Sequence, residues 1–193
     1  MRTRLVSRTV LVALAGVAAL APALVGAAGK FALTSAAFKN NAPMPDKYSF
    51  NQMNCTGENV SPALAWSNPP AGTKSFALMV HDPDAPTGSG WWHWVAYDIP
   101  ADATSLPENA GKEGGADLPK GAKLGRTDFG SAAYGGPCPP PGSGKHHYNF
   151  TLFALKVDKL EVPEGASAAL IGFMANANAI GKAKLTGLYS RAK

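Results

Sequence analysis

The stretch SFALMVHDPDAPTGSGWWHWVAYDIP, residues 75–100, holds two apolar runs separated by a proline- and glycine-rich segment. SFALMV (75–80) is rich in Phe, Leu and Val, as a buried strand is, and Trp94–Ile99 forms a second run of the same kind. Between them DPDAPTGSG (82–90) cannot be strand interior, because proline has no N–H to give to a ladder. The stretch therefore reads as strand, stiff turn, strand. If the two strands pair, Asp82 at the end of the first and His93 at the start of the second lie at one end of a sheet.

The same alternation runs along most of the chain. Phe31–Ser35, Ala63–Ser67 and His147–Val157 are further strand candidates, and YNFTLFAL (148–155) is again rich in large apolar residues. NPPAG (68–72) and PCPPPGSG (137–144) are turns by the same proline argument. Residues 101–130 carry many Gly, Asp and Lys and read as a long surface excursion. One helix is expected after Pro163-Glu164-Gly165, where Leu170, Phe173, Met174, Ala177 and Ile180 fall at helical spacing and form the face expected to pack on the sheet. The fold class is mostly β with a C-terminal helix. No repeat, linker or second domain interrupts residues 29–193.

The N-terminus is a different kind of segment. Arg2, Arg4 and Arg8 precede an apolar run, Thr9–Val25, and small residues follow at Gly26, Ala27, Ala28 and Gly29. That order is a secretory signal peptide, residues 1–28, cleaved after Ala27 or Ala28 and delivering a periplasmic or secreted protein; the alternative is a retained membrane anchor. The formal net charge of +5 includes those three arginines. Residues 29–193 carry 15 Lys/Arg against 13 Asp/Glu, and no basic run that could track a nucleic-acid backbone, so nucleic acid is not an expected partner. Cys55 and Cys138 are the only cysteines. Export permits a bridge between them, and two free thiols are the alternative.

The chemistry-bearing residues cluster. Two of the four histidines and three of the four tryptophans lie in residues 81–100, and the other two histidines lie in YGGPCPPPGSGKHHYNF (134–150). Pro83 and Pro86 stiffen the turn that holds Asp82 and Asp84. Cys138 and Pro139–Pro141 make a second stiff wall, after which His146 and Tyr148 begin a strand. His81 and His147, on the opposite strand face, are assigned to structure or surface. Imidazoles, a tyrosine hydroxyl and loop N–H groups form a compact set of partners for a small anion such as a phosphate monoester. The same residues leave room for a His/His/Asp metal site from Asp82, His93 and His146. Cys138 is the only candidate nucleophile, and nothing in its surroundings activates it.

DPDAP followed by HW, then GPCPPPGSGKHHYNFTLFAL, resembles the phosphatidylethanolamine-binding protein family. CTGENVSPALAWSNPPAGTKSFALMVHDPDAP is similar, along its whole length, to the bacterial Raf kinase inhibitor-like branch (YbhB/YbcL type). The resemblance covers about residues 33–190. It implies two packed β-sheets with peripheral helices and a pocket for phosphate-like anions, built here from Asp82, Asp84, Trp91, His93, Pro139, Pro140, His146 and Tyr148. His147 stands where the family's pattern has arginine, which puts any ion pair of that arginine in question. The expectation is an exported binding protein, without cofactor, metal or catalytic residue. It would take phosphorylated ligands or phospholipid headgroups and, as an extension of that reading, regulate a partner protein. The alternatives are a metal-assisted Asp/His hydrolase and a protein-interaction or inhibitor module in which the pocket is incidental.

Overall fold

In the computed structural model, which describes residues 29–193, nine β-strands and one α-helix follow one another, with a 3-10 turn at Asp46–Tyr48 between the second and third strands. They are β1 (Ala32–Thr34), β2 (Ala42–Pro43), β3 (Leu64–Ser67), β4 (Ser75–Asp82), β5 (Trp91–Pro100), β6 (Ser105–Leu106), β7 (Lys123–Leu124), β8 (His146–Leu155), α1 (Ala168–Asn178) and β9 (Ala179–Tyr189). The expected signal segment, residues 1–28, lies outside the described residues.

The strands form two sheets. The small one has the order β1-β3-β6 and the large one β2-β9-β8-β4-β5-β7. Every pairing is antiparallel except β2 with β9. The expected mostly-β architecture of two sheets and a C-terminal helix is the one observed.

β4 lies at the centre of the large sheet and is covered on both faces, which is why its sequence shows no polar alternation. Phe76, Leu78 and Val80 face the small sheet, in a core shared with Leu64, Trp66, Trp94, Phe150 and Leu152. Ala77 and Met79 face the other way, in a second cluster with Val95, Phe153, Leu155, Ile171 and Ala175.

The helix packs through a different face from the expected one. Ser167 caps it by accepting from Leu170 N at 3.2 Å, and Ala168, Ile171, Gly172 and Ala175 are buried. These residues recur at i, i+3, i+4 and i+7, a stripe as regular as the one read from the sequence. Phe173 is 68% exposed, and Leu170 and Ile180 are also exposed. Small side chains let the helix lie close on the sheet: a Cβ on Gly172 would meet Met79 at 3.3 Å. Ile180 belongs to β9, where the period becomes two and Ala183 and Leu185 turn inward while Lys182 and Lys184 stay out.

Residues 101–130 are loop-rich but anchored. Leu106 and Ala110 are buried in the main core, β6 extends the small sheet and β7 extends the large one. A surface excursion describes their composition and misses these tethers.

Candidate functional site

β4 runs antiparallel to both of its neighbours, so its last residue meets the first residues of β5 and β8 at one edge of the large sheet. Period-two alternation puts Asp82, His146 and Tyr148 on the face that Phe76, Leu78 and Phe150 share. His147 falls on the opposite face. A register shift in β5 pairs Val80 with Trp94 and His81 with Trp92, leaving His93 as an extra, bulged residue. The bulge brings the His93 ring edge-on to Tyr148, with centroids 5.0 Å apart.

The DPDAP turn is locked by Asp82 itself, whose Oδ1 accepts from Asp84 N at 2.9 Å. Gly90 closes the loop with φ 74°, and a Cβ there would lie 2.5 Å from the Asp82 carbonyl oxygen. The opposite wall, Pro139 and Pro140, is tied down through Cys138, which forms a disulfide with Cys55, Cα atoms 6.0 Å apart.

These elements enclose a cavity of about 160 Å³, lined by Asp82, Trp91, His93, Pro139, Pro140, His146 and Tyr148. Seven of the eight residues expected at the site therefore come together. Asp84 does not. Its carboxylate turns away to the backbone N–H of His147 at 2.8 Å and to His147 Nδ1 at 2.7 Å. Burial alone would raise the Asp84 pKa, but these bonds to His147 outweigh it and hold the carboxyl below its ordinary range. His147 thus takes up a carboxylate partner where the family's pattern has arginine. His81 stacks on Trp92 and faces the Ser89 carbonyl oxygen, outside the cavity.

Met53, Phe129, Ala85, Pro86, Thr87 and Cys138 complete the lining. Pro86 was legible as part of the stiff turn. Met53 and Phe129 sit in loops without periodicity, and no signal in the sequence marks them.

Hydrogen bonds define what each polar group has left to offer. Ser143 Oγ donates to Pro140 O at 2.8 Å and lies 3.0 Å from His146 Nε2, so Nε2 carries a proton and donates to Ser143. His146 Nδ1 lies 2.7 Å from Asp82 Oδ2. Both His146 nitrogens are engaged. Among the described residues, no group of three or more His, Cys, Asp or Glu side chains is placed to hold a metal ion.

His93 Nδ1 donates to the Gly135 carbonyl at 2.7 Å. Burial pushes the His93 pKa down to about 4, against the Gly135 carbonyl and the Asp82 charge, which both favour the cation. The ring is therefore neutral at pH 7, and Nε2 is left for the cavity as an acceptor. Tyr148 is almost fully buried and its hydroxyl makes no hydrogen bond of full geometry; burial first, then the nearby Asp82 charge and a loose contact with that carboxylate, raise its pKa. Trp91 Nε1 is likewise without a partner. Among the described residues four buried donors lack a partner: Trp91 Nε1 and Tyr148 Oη border this cavity, and Trp66 Nε1 and Trp94 Nε1 lie in the main core.

A two-sheet β-fold with an edge pocket closed by proline-rich loops is the class that this geometry defines. The family model for phosphatidylethanolamine-binding protein matches residues 34–190, and the chain belongs to that family. It is 50% identical over 162 residues to UPF0098 protein YbcL of Escherichia coli, covering 84% of this chain and 88% of YbcL. UPF0098 protein YbhB of the same organism is 44% identical over 158 residues, covering 82% of this chain and 99% of YbhB. The crystal structure of E. coli YbcL, described as a member of the mammalian PEBP family, superposes with a TM-score of 0.82 at 49% identity. That match covers 84% of this chain and 99% of YbcL. A PEBP homolog from Chlamydia trachomatis, CT736, superposes with a TM-score of 0.69 at 34% identity over 83% of this chain and 97% of that one.

Proposed function

We propose that this chain is an exported binding protein that holds a phosphate-bearing ligand, a phosphorylated small molecule or a phospholipid headgroup, and does no chemistry on it. The observation that carries the reading is the set of unused atoms around the 160 Å³ cavity. Tyr148 Oη and Trp91 Nε1 are donors without a full acceptor, while His93 Nε2 is an acceptor. A phosphate monoester in its monoanionic form supplies the complement, with P–O acceptors for the two donors and one P–OH for an acceptor. The monoester loses that second proton at about pH 6. Binding is therefore expected to tighten as pH falls from 8 through 6.

Calorimetry with inorganic phosphate and phosphoethanolamine tests the reading on wild type and His146→Ala. Loss of the charge-assisted network around His146 is expected to weaken binding about 10- to 150-fold, from roughly 1.5–3 kcal/mol. No binding by the wild type, or equal binding by the variant, would overturn it. Turnover of a chromogenic phosphate ester by the purified protein would overturn the non-catalytic part.

Export is supported by the order of residues 1–28 and by a relative of Mycobacterium tuberculosis whose name describes it as a lipoprotein, LppC, 37% identical over 163 residues. Protein isolated from its native host should begin at Ala28 or Gly29. Intact Met1 on membrane-extracted protein would refute that. Regulation of a partner protein through the pocket is the extension of the same proposal; pocket variants that still capture such a partner would remove it.

A further inference from the structure

The 160 Å³ cavity holds little more than an anionic group, well below the roughly 300–1,000 Å³ of ordinary small-molecule sites. Whatever carries the phosphate must leave the cavity, which shares part of its wall with a second space. A groove of about 810 Å³ runs beside the cavity and shares Met53, Trp91 and Phe129 with it. These three residues form a sill. Met53 holds φ 53° in a loop fastened by the neighbouring Cys55–Cys138 bridge, a strained setting for a residue that is neither Gly nor Asn. Trp91, whose Nε1 has no partner, stands on the sill between the two spaces.

The groove has its own chemistry. Asn51, Gln52 and Asn109 present side-chain amides with no hydrogen-bond partner among the described residues, beside the carboxylates of Glu58 and Glu113. Phe50 and Phe129 stack within it, ring centroids 4.5 Å apart. Lys112 is its only cation against Glu58, Glu113 and Asp128, so a second anionic group is disfavoured. Polar amides and carboxylates do not suit an acyl chain. A polypeptide strand has no edge to join there, because β5 is already paired where it borders the groove. Trp92 N donates to the Asp128 carboxylate, Asp128 N donates to Trp92 O and Gly135 N donates to His93 O. Amides and carboxylates that bond hydroxyl groups, beside aromatic faces that cover C–H surfaces, fit a polyhydroxylated ring.

We infer that the groove is a second subsite, for the neutral sugar or polyol body of a ligand whose phosphate lies in the cavity. The inference rests on the phosphate reading of the cavity and adds the class of molecule that carries the phosphate.

Calorimetry with inorganic phosphate, glucose 6-phosphate, glucose and a phosphoserine tripeptide tests it on wild type and on N51A/Q52A, whose side chains are exposed. Glucose 6-phosphate should bind at least 10-fold more tightly than inorganic phosphate. The double variant should lose roughly 10-fold of that margin, as two neutral hydrogen bonds dictate, and bind inorganic phosphate like the wild type. Equal affinity for glucose 6-phosphate and inorganic phosphate would overturn the second subsite and leave the cavity reading standing. A larger gain for the phosphopeptide than for the sugar phosphate would overturn the sugar class. Failure of every phosphate compound to bind would overturn both readings together.

Discussion

His93 should make this protein acid-labile in a way that one substitution removes. Its imidazole has an ordinary pKa of 6.5 in the unfolded chain and about 4 in the buried native setting. Between those values the unfolded state holds a proton that the native state excludes. The contribution is therefore fully present above pH 6.5 and lost as pH falls through 4. A separation of about 2.5 pH units is worth at most about 3.4 kcal/mol at 1.36 kcal/mol per unit, of which about 2 kcal/mol is lost by pH 5. His93→Asn keeps an N–H able to reach the Gly135 carbonyl and removes the titrating ring. Urea unfolding of the oxidised protein at pH 7, 6 and 5 should show wild type losing about 2 kcal/mol more than the variant over that range. The difference between the two proteins isolates His93 from the other three histidines. Parallel losses in both, or a His93 ring resonance that titrates near 6.5 in the folded protein, would refute the reasoning.

Three further outcomes are expected. Tyr148→Phe removes a buried hydroxyl with no hydrogen bond of full geometry, so stability should hold or rise by about 1 kcal/mol while calorimetric phosphate affinity falls; a clear loss of stability would mean the hydroxyl is bonded in the free protein. The Cys55–Cys138 bridge closes a separation of 83 residues, and its reduction should cost about 4 kcal/mol in urea unfolding; two alkylatable thiols in non-reduced, denatured protein would show there is no bridge. Ile171→Ala should destabilise by about 2–5 kcal/mol and Phe173→Ala by no more than about 0.5 kcal/mol, a contrast that reverses if the helix packs through its Phe173 face.

The site was largely legible because its chemistry sits at strand ends. Proline excludes a ladder, so DPDAP and CPPP had to be loops, and Asp82, His93, His146 and Tyr148 had to flank them. Alternation then separated His146 from His147 correctly. Asp84, placed in the pocket by the resemblance, lies beyond the last paired residue of β4 and turns instead to His147. The helix face was misread because two apolar stripes compete there. Leu170 and Phe173 are larger, but close approach to Met79 selects the small residues around Gly172. β9 was missed because Ala177 and Ile180 continue the helical spacing across the point where the helix ends, and no Gly or Pro marks the boundary. Met53 and Phe129 are brought to the cavity only by tertiary closure.

The position of β9 bears on when the molecule can fold. It is the last strand in the chain, yet it lies between β2 and β8 and pairs with β8 from His146 to Leu155. Until β9 is in place, β8 has one bare edge and β2 has no partner strand among the described residues. A chain emerging from its N-terminus therefore cannot close the large sheet before β9 has been made. For a protein exported as proposed, that order of assembly keeps the nascent polypeptide threadable through a translocation pore and defers its compaction to the far side of the membrane.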